Sequence, residues 1–150
     1  MELARGVTGR SARRAGAKFS TVTVVPTFAE VAKAEYILLT TFTKDGRPKP
    51  TPIWAAPSGD GLVVITQEKS WKVKRIRNTP RVTIAECDRG GNPKGEAVEA
   101  TATLLDKSAN GPTYDAIGRR YGLLGKGFGF FSKLNGGLKK NVTIELKAVS

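Results

Sequence analysis

Two turn signals fall between residues 36 and 66, and they leave no room for a helix among three extended runs. Tyr36 to Thr43 is dense in β-branched and aromatic residues. Lys44-Asp45-Gly46-Arg47 ends it with an Asp-Gly turn, and Lys49 to Ala56 extends again. Pro57-Ser58-Gly59-Asp60-Gly61 makes a second turn before Leu62-Val63-Val64-Ile65-Thr66. Parallel pairing needs a crossover of about a dozen residues or more, so these strands pair antiparallel, and a meander is predicted.

Helices are predicted around this block. Pro26-Thr27 opens a short one through about Lys33, with Phe28, Val31 and Ala32 on its apolar side. Ser70 caps a second from Trp71 to about Asn78, and Pro80 stops it by forcing the residue before it out of helical backbone. Arg81 to Cys87 alternates as a strand does, Val82 and Ile84 against Thr83, Ala85 and Cys87. A Gly-rich turn leads to a long strand from Glu96 to Leu105, with Val98, Ala100, Ala102 and Leu104 on one face. A helix over Asn110 to Tyr121 and a strand over Asn141 to Leu146 follow; the Gly- and Phe-rich stretch from Gly122 to Gly137 takes no assignment. Six or so strands with few short helices predict a mainly β (α+β) chain built as a small β-barrel. Residues 1–25 read as a basic, flexible N-terminal arm, and 26–150 as a single domain with enough chain for a core.

Charge and absent residue types narrow the function. Lys and Arg number 25 against 13 Asp and Glu, a formal net charge of +12, so the natural partner is an anion. There is no His, which removes imidazole relays, Ser-His-Asp triads and His-ligated metals; one Cys removes thiolate clusters and internal disulfides. No metal is expected. No apolar run approaches the roughly 18–20 residues of a membrane span, and the start has no apolar secretory core, so a cytoplasmic location is expected.

Two segments carry candidate chemistry. Ser70-Trp71-Lys72-Val73-Lys74-Arg75-Ile76-Arg77 sets four cations at the start of a helix directly after a strand. Val73 and Ile76 form its buried face, which brings Lys72 and Arg75 together at i and i+3. Cations in a first turn oppose the helix dipole unless an anion sits nearby, and a phosphate suits the free N–H groups there. The same run would also serve as a solvated face. In Lys49-Pro50-Thr51-Pro52-Ile53-Trp54 two prolines place the strand at an edge or beside a cavity, where backbone groups could bond a flat heterocycle; edge protection is the plainer reading. Trp54 and Trp71 could stack on a ligand ring or pack internally, and Tyr114 and Tyr121 could donate protons or fill the core. Cys87 reads as a small buried hydrophobe.

The ordered set of the Lys49 to Trp54 segment, Gly59-Asp60-Gly61, a strand ending in Ile65-Thr66, the Ser70 to Asn78 helix and Pro80-Arg81-Val82 resembles the flavin/deazaflavin oxidoreductases, over about Phe28 to Leu105. These are relatives of pyridoxamine-phosphate oxidase. Within them the chain looks most like the B-type, actinobacterial branch that uses the deazaflavin coenzyme F-420. The resemblance implies an FMN-binding split β-barrel, a homodimer with the coenzyme between subunits, and hydride transfer from reduced coenzyme F-420 to a small organic acceptor. It also implies a site. Lys49, Thr51, Pro52, Ile53 and Trp54 would lie along the ring, Ile65 and Thr66 beside the ring or ribityl chain, and Ser70, Trp71, Lys72, Lys74 and Arg75 around the phosphate. Arg13, Arg14 and Lys18 would reach the coenzyme's oligoglutamate tail. FMN as the cofactor and a carrier or storage role without turnover remain open. A nucleic-acid-binding barrel would be equally basic, but aromatics are only 7% of the chain and do not cluster on a strand as a stacking platform requires.

Overall fold

The alternation that predicts the first strand is visible in its burial: Ile37, Leu39 and Thr41 are fully buried, and the residues between them are half-exposed. The computed structural model describes residues 25–122 and 140–149. In chain order these form α1 (Phe28–Ala32), β1 (Tyr36–Phe42), β2 (Pro48–Ile53), β3 (Ala56–Ser58), β4 (Gly61–Gln67), α2 (Trp71–Asn78), β5 (Arg81–Cys87), β6 (Val98–Leu104), a single 3-10 turn, α3 (Asn110–Gly122) and β7 (Asn141–Ala148). The N-terminal arm and most of the Gly- and Phe-rich stretch lie outside the described residues.

Every neighbouring pair of strands is antiparallel, which the tight turns require of β1–β2 and β3–β4. The order is β2-β1-β5-β6-β7-β4-β3, however, which is not the predicted meander. The run Lys49 to Ala56 is two strands. β2 ends at Ile53, Trp54 and Ala55 carry the chain across, and β3 pairs with β4 at the opposite end of the sheet. Along the crossing the side chains alternate between two apolar clusters: Ile53 and Ala55 pack with the main core, Trp54 and Ala56 with a second one against α3. The strand predicted from Glu96 starts at Val98 instead.

The sheet curls around the main core, in which Ile37, Leu39, Leu62, Ile84, Ile144 and Leu146 are all 0% exposed. β4 is apolar on both faces because both are covered. Leu62 and Val64 face this core, while Val63 and Ile65 join Ile117 and Tyr121 of α3 in the second cluster. Gly61 is required where β4 meets β7, because a Cβ there would stand 2.5 Å from the Leu146 carbonyl oxygen.

β3 covers β4 only as far as Val63, so on the side away from β7 the edge of β4 from Val64 to Gln67 has no strand beside it among the described residues. β2 is likewise the last strand at its end. These two bare edges form the open seam of a half-barrel.

Candidate functional site

A cleft of about 320 Å³ lies in this seam, lined by Thr51, Pro52, Ile53 and Trp54 from the β2 side and by Val64, Ile65 and Thr66 from β4. Tyr36, Lys72 and Arg89 complete it. Seven of the residues expected to bind a coenzyme therefore meet around one space: Thr51, Pro52, Ile53, Trp54, Ile65, Thr66 and Lys72. A larger cavity of about 640 Å³ opens between α1 and the β3–β4 turn. Its Arg120 is committed to protein carbonyls, and Lys33 and Asp60 are its other charged lining residues.

The other five expected residues stand elsewhere. Ser70 caps α2, its hydroxyl accepting from the Val73 N–H at 3.4 Å. Trp71 is 69% exposed, and the Lys74 ammonium sits over its ring at 4.5 Å. Arg75 donates to the Thr41 hydroxyl at 2.7 Å. Lys49 is exposed on β2, away from the cleft. The electrostatic picture narrows accordingly: in a helix of only two turns, Arg75 and Arg77 fall in the last turn, where the dipole favours them, and only Lys72 and Lys74 oppose it.

Lys72 is a partly buried charge without a carboxylate partner among the described residues. Burial is the first cause that lowers its ammonium pKa, and the neighbouring Arg75 adds repulsion. No acid lines the cleft, and neither Lys72 nor Arg89 makes an ion pair with any described residue. Two cations and the hydroxyls of Thr51 and Thr66 thus converge on a space without a counter-charge. An anion with several oxygen acceptors, such as a phosphate ester, complements this donor set.

Arg89 was not apparent in the sequence pattern. It sits in the turn after β5, where Asp88 N–H donates to Asn92 O, Gly91 N–H to Asp88 O, and Gly91 takes φ +91°. The β1–β2 turn is built the same way, with Thr43, Gly46 (φ +87°) and Arg47 in the equivalent places. An Asp-Arg-Gly-Gly-Asn run was the available signal for that turn. What brings it to the cleft is the packing of Gly91 on Pro52, where an added Cβ would lie 3.4 Å from the proline ring.

One wall is held from behind. Trp54 stacks on Tyr121 of α3, centroids 4.3 Å apart and planes 7° from parallel. The Tyr121 hydroxyl donates to Glu35 O at 2.8 Å and accepts the Ala55 N–H at 3.2 Å. Arg120 next to it donates to the carbonyls of Ala32, Ala34 and Ala55. Tyr121 is therefore a core residue; burial pushes its phenol pKa up. Tyr114 is partly buried, its oxygen accepting from Asn141 Nδ2 at 3.0 Å. Cys87 is buried, and desolvation raises its thiol pKa, as expected for an inert side chain.

Among the described residues, no cluster of three or more His, Cys, Asp or Glu could hold a metal, and no helix is long and apolar enough to cross a membrane. The family model for pyridoxamine 5'-phosphate oxidase matches residues 26–146. The chain belongs to that family. Its members share the curled antiparallel sheet seen here, so the split-barrel expectation holds. No curated protein sequence matches. Solved structures with the same fold include an F-420 reductase (21% identity, TM-score 0.57, covering 85% of this chain and 97% of the other). An FAD-binding protein from Mesorhizobium loti follows at 19%, TM-score 0.56, covering 82% and 88%. HutZ, a heme storage protein from Vibrio cholerae, gives 15%, TM-score 0.58, covering 81% and 87%. At these identities the likeness is one of fold.

Proposed function

We propose that the seam cleft binds a phosphate-bearing redox coenzyme, coenzyme F-420, and that the protein passes a hydride from its reduced form to a small organic acceptor. The observation that carries this reading is the pair Lys72 and Arg89: cations lining the cleft with no acid among its lining residues. The family and the F-420 reductase with the same fold support it.

In this reading Lys72 and Arg89, aided by Thr66, hold the phosphate, and Lys74 lies at the flank. Trp54, braced by Tyr121, presents a flat apolar face to the ring, with Ile53 and Ile65 beside it. The coenzyme supplies the hydride; the chain binds, orients and shields it from water. A +12 surplus favours the deazaflavin with its polyanionic tail over FMN, and Arg13, Arg14 and Lys18 of the arm are the proposed tail contacts. FMN would use the same phosphate site. The cleft is open at the seam, and we take a second copy of the chain to close it, in the cytoplasm.

Storage without turnover is the second reading: among the described lining residues Tyr36 and Lys72 are the groups able to pass a proton, and the same ring and phosphate contacts would serve a store. A haem store using an imidazole ligand is ruled out by the absence of His. Mixing the protein with F-420 or FMN, desalting and recording the absorption spectrum decides which is retained. Lys72→Ala should weaken binding by roughly tenfold or more, since a charge-assisted hydrogen bond is worth about 1.5–3 kcal/mol. Unchanged affinity rejects the assignment. Turnover of quinones or enones by reduced coenzyme separates reductase from store, and light scattering reads the dimer.

A further inference from the structure

The two lips of the seam differ in what their backbones offer, as the backbone hydrogen bonds and strand alternation require. In an antiparallel pair each residue turns its N–H and C=O to the same side, and successive residues alternate. Lys94 N–H donates to Glu86 O, so Glu86 faces away from β1 and Ala85 and Cys87 face it. Their partners Leu38 and Tyr36 then face β5, which leaves Ile37, Leu39 and Thr41 to face β2. Opposite these stand Ile53, Thr51 and Lys49. The outward positions of β2 are therefore Pro48, Pro50 and Pro52, and proline has no N–H. The β2 lip presents backbone acceptors and no backbone donor.

The β4 lip is different. Leu105 N–H donates to Thr143 O, so Thr143 faces β6, and its partner Ile65 turns both N–H and C=O away from β7 into the seam. The β3–β4 pairing ends at Ala56 with Val63, so no described strand takes up either group.

Resting on the coenzyme reading above, we propose that the donor-free β2 lip, at Pro52, makes this site discriminate between redox states of the bound ring and favour the dihydro form. Two-electron reduction of a deazaflavin places the hydride on a ring carbon and a proton on a ring nitrogen, so the neutral dihydro ring has one more N–H donor than the oxidised ring. Pro52 O, which lines the cleft, can accept it. An oxidised ring turned to the same lip sets an acceptor against an acceptor, with no N–H there to relieve it. The ring's carbonyl side is matched by the Ile65 N–H on the opposite lip.

The test is a pair of anaerobic equilibrium titrations, oxidised and dihydro F-420, followed by tryptophan quenching at mildly acidic pH where the added N–H keeps its proton. One neutral hydrogen bond of ordinary net strength corresponds to about a fivefold tighter binding of the dihydro form. That ratio equals a positive shift of about 20 mV in the bound couple. Pro52→Ala restores an N–H to the lip and should bring the ratio close to one. Pro48→Ala, outside the cleft, should leave it unchanged and controls for loss of a strand proline. Equal affinities in the wild type, or an unchanged ratio in Pro52→Ala, overturns the proposal and leaves the coenzyme reading standing. Failure of both forms of F-420 and of FMN to bind overturns both.

Discussion

Replacing Tyr121 by Phe removes a single oxygen from a ring that is 0% exposed and leaves its stack on Trp54 geometrically possible. That oxygen accepts the N–H of Ala55, itself 0% exposed, so the variant strands a buried donor at the crossing between the two ends of the sheet. An unsatisfied buried N–H costs about 1–3 kcal/mol, and the small void left adds to it, so a loss of about 2 kcal/mol is expected. For a domain of this size that is a fall in Tm of about 4–8 °C. Tyr121→Leu, which also removes the stack, should lose about 0.5–1.5 kcal/mol more than a cavity alone would account for. Alkaline pH gives an independent signature. Burial raises the folded-state phenol above its ordinary 10.0, so the unfolded chain ionises first and wild-type stability falls as pH rises past that value. The Phe variant lacks this component. Thermal melts followed by tryptophan fluorescence at neutral and alkaline pH read both; a Tm within about 1 °C of wild type would refute the account of the crossing.

Lys72 behaves in the opposite sense: its folded-state pKa is below the ordinary 10.5, so the penalty is full below the lowered value and fades as pH rises towards 10.5. Scanning fluorimetry should show Lys72→Met without that alkaline gain, and inorganic phosphate at ten times its Kd should stabilise the wild type by about 1.4 kcal/mol and the variant by far less. Gly61→Ala forces a Cβ against the Leu146 carbonyl and should cost about 2–3 kcal/mol in a denaturant melt. Gly46→Ala meets no atom and should cost only about 1–2 kcal/mol, the torsional penalty of φ +87°. Asn110 is fully buried, donates to Asn141 O at 2.8 Å and accepts from the Thr143 hydroxyl at 2.9 Å. Asn110→Ala should lose about 3 kcal/mol by the same measurement, and a loss under about 1 kcal/mol would show that the network adds little.

Local features were legible because they depend on neighbours in sequence. The cap at Ser70, the stop before Pro80, the Asp-Gly turn and the edge character of β2 rest on backbone sterics and missing donors, and each stands where the residues place it. The grouping of Thr51 to Trp54 with Ile65, Thr66 and Lys72 was readable only through the resemblance to a family. Spacing alone does not say which edges meet. Arg89 escaped notice because a lone Arg in a glycine turn carries no periodic signal, and only the seating of Gly91 on Pro52 brings it to the cleft.

The sequence by itself determined the antiparallel sense of the two tight-turn pairs, β1–β2 and β3–β4, the anion-seeking charge and the exclusion of imidazole and thiolate chemistry, since turn lengths and residue types decide these without reference to distant contacts. Only the tertiary structure decided that Lys49 to Ala56 divides at Trp54, that α3 braces the crossing, and that the bare edges of β2 and β4 border one cleft. The reason is physical. The crossing at Trp54 and Ala55 is held by Tyr121 and Arg120, whose bonds to Ala55 span 66 and 65 residues of chain, a separation that no local pattern reports.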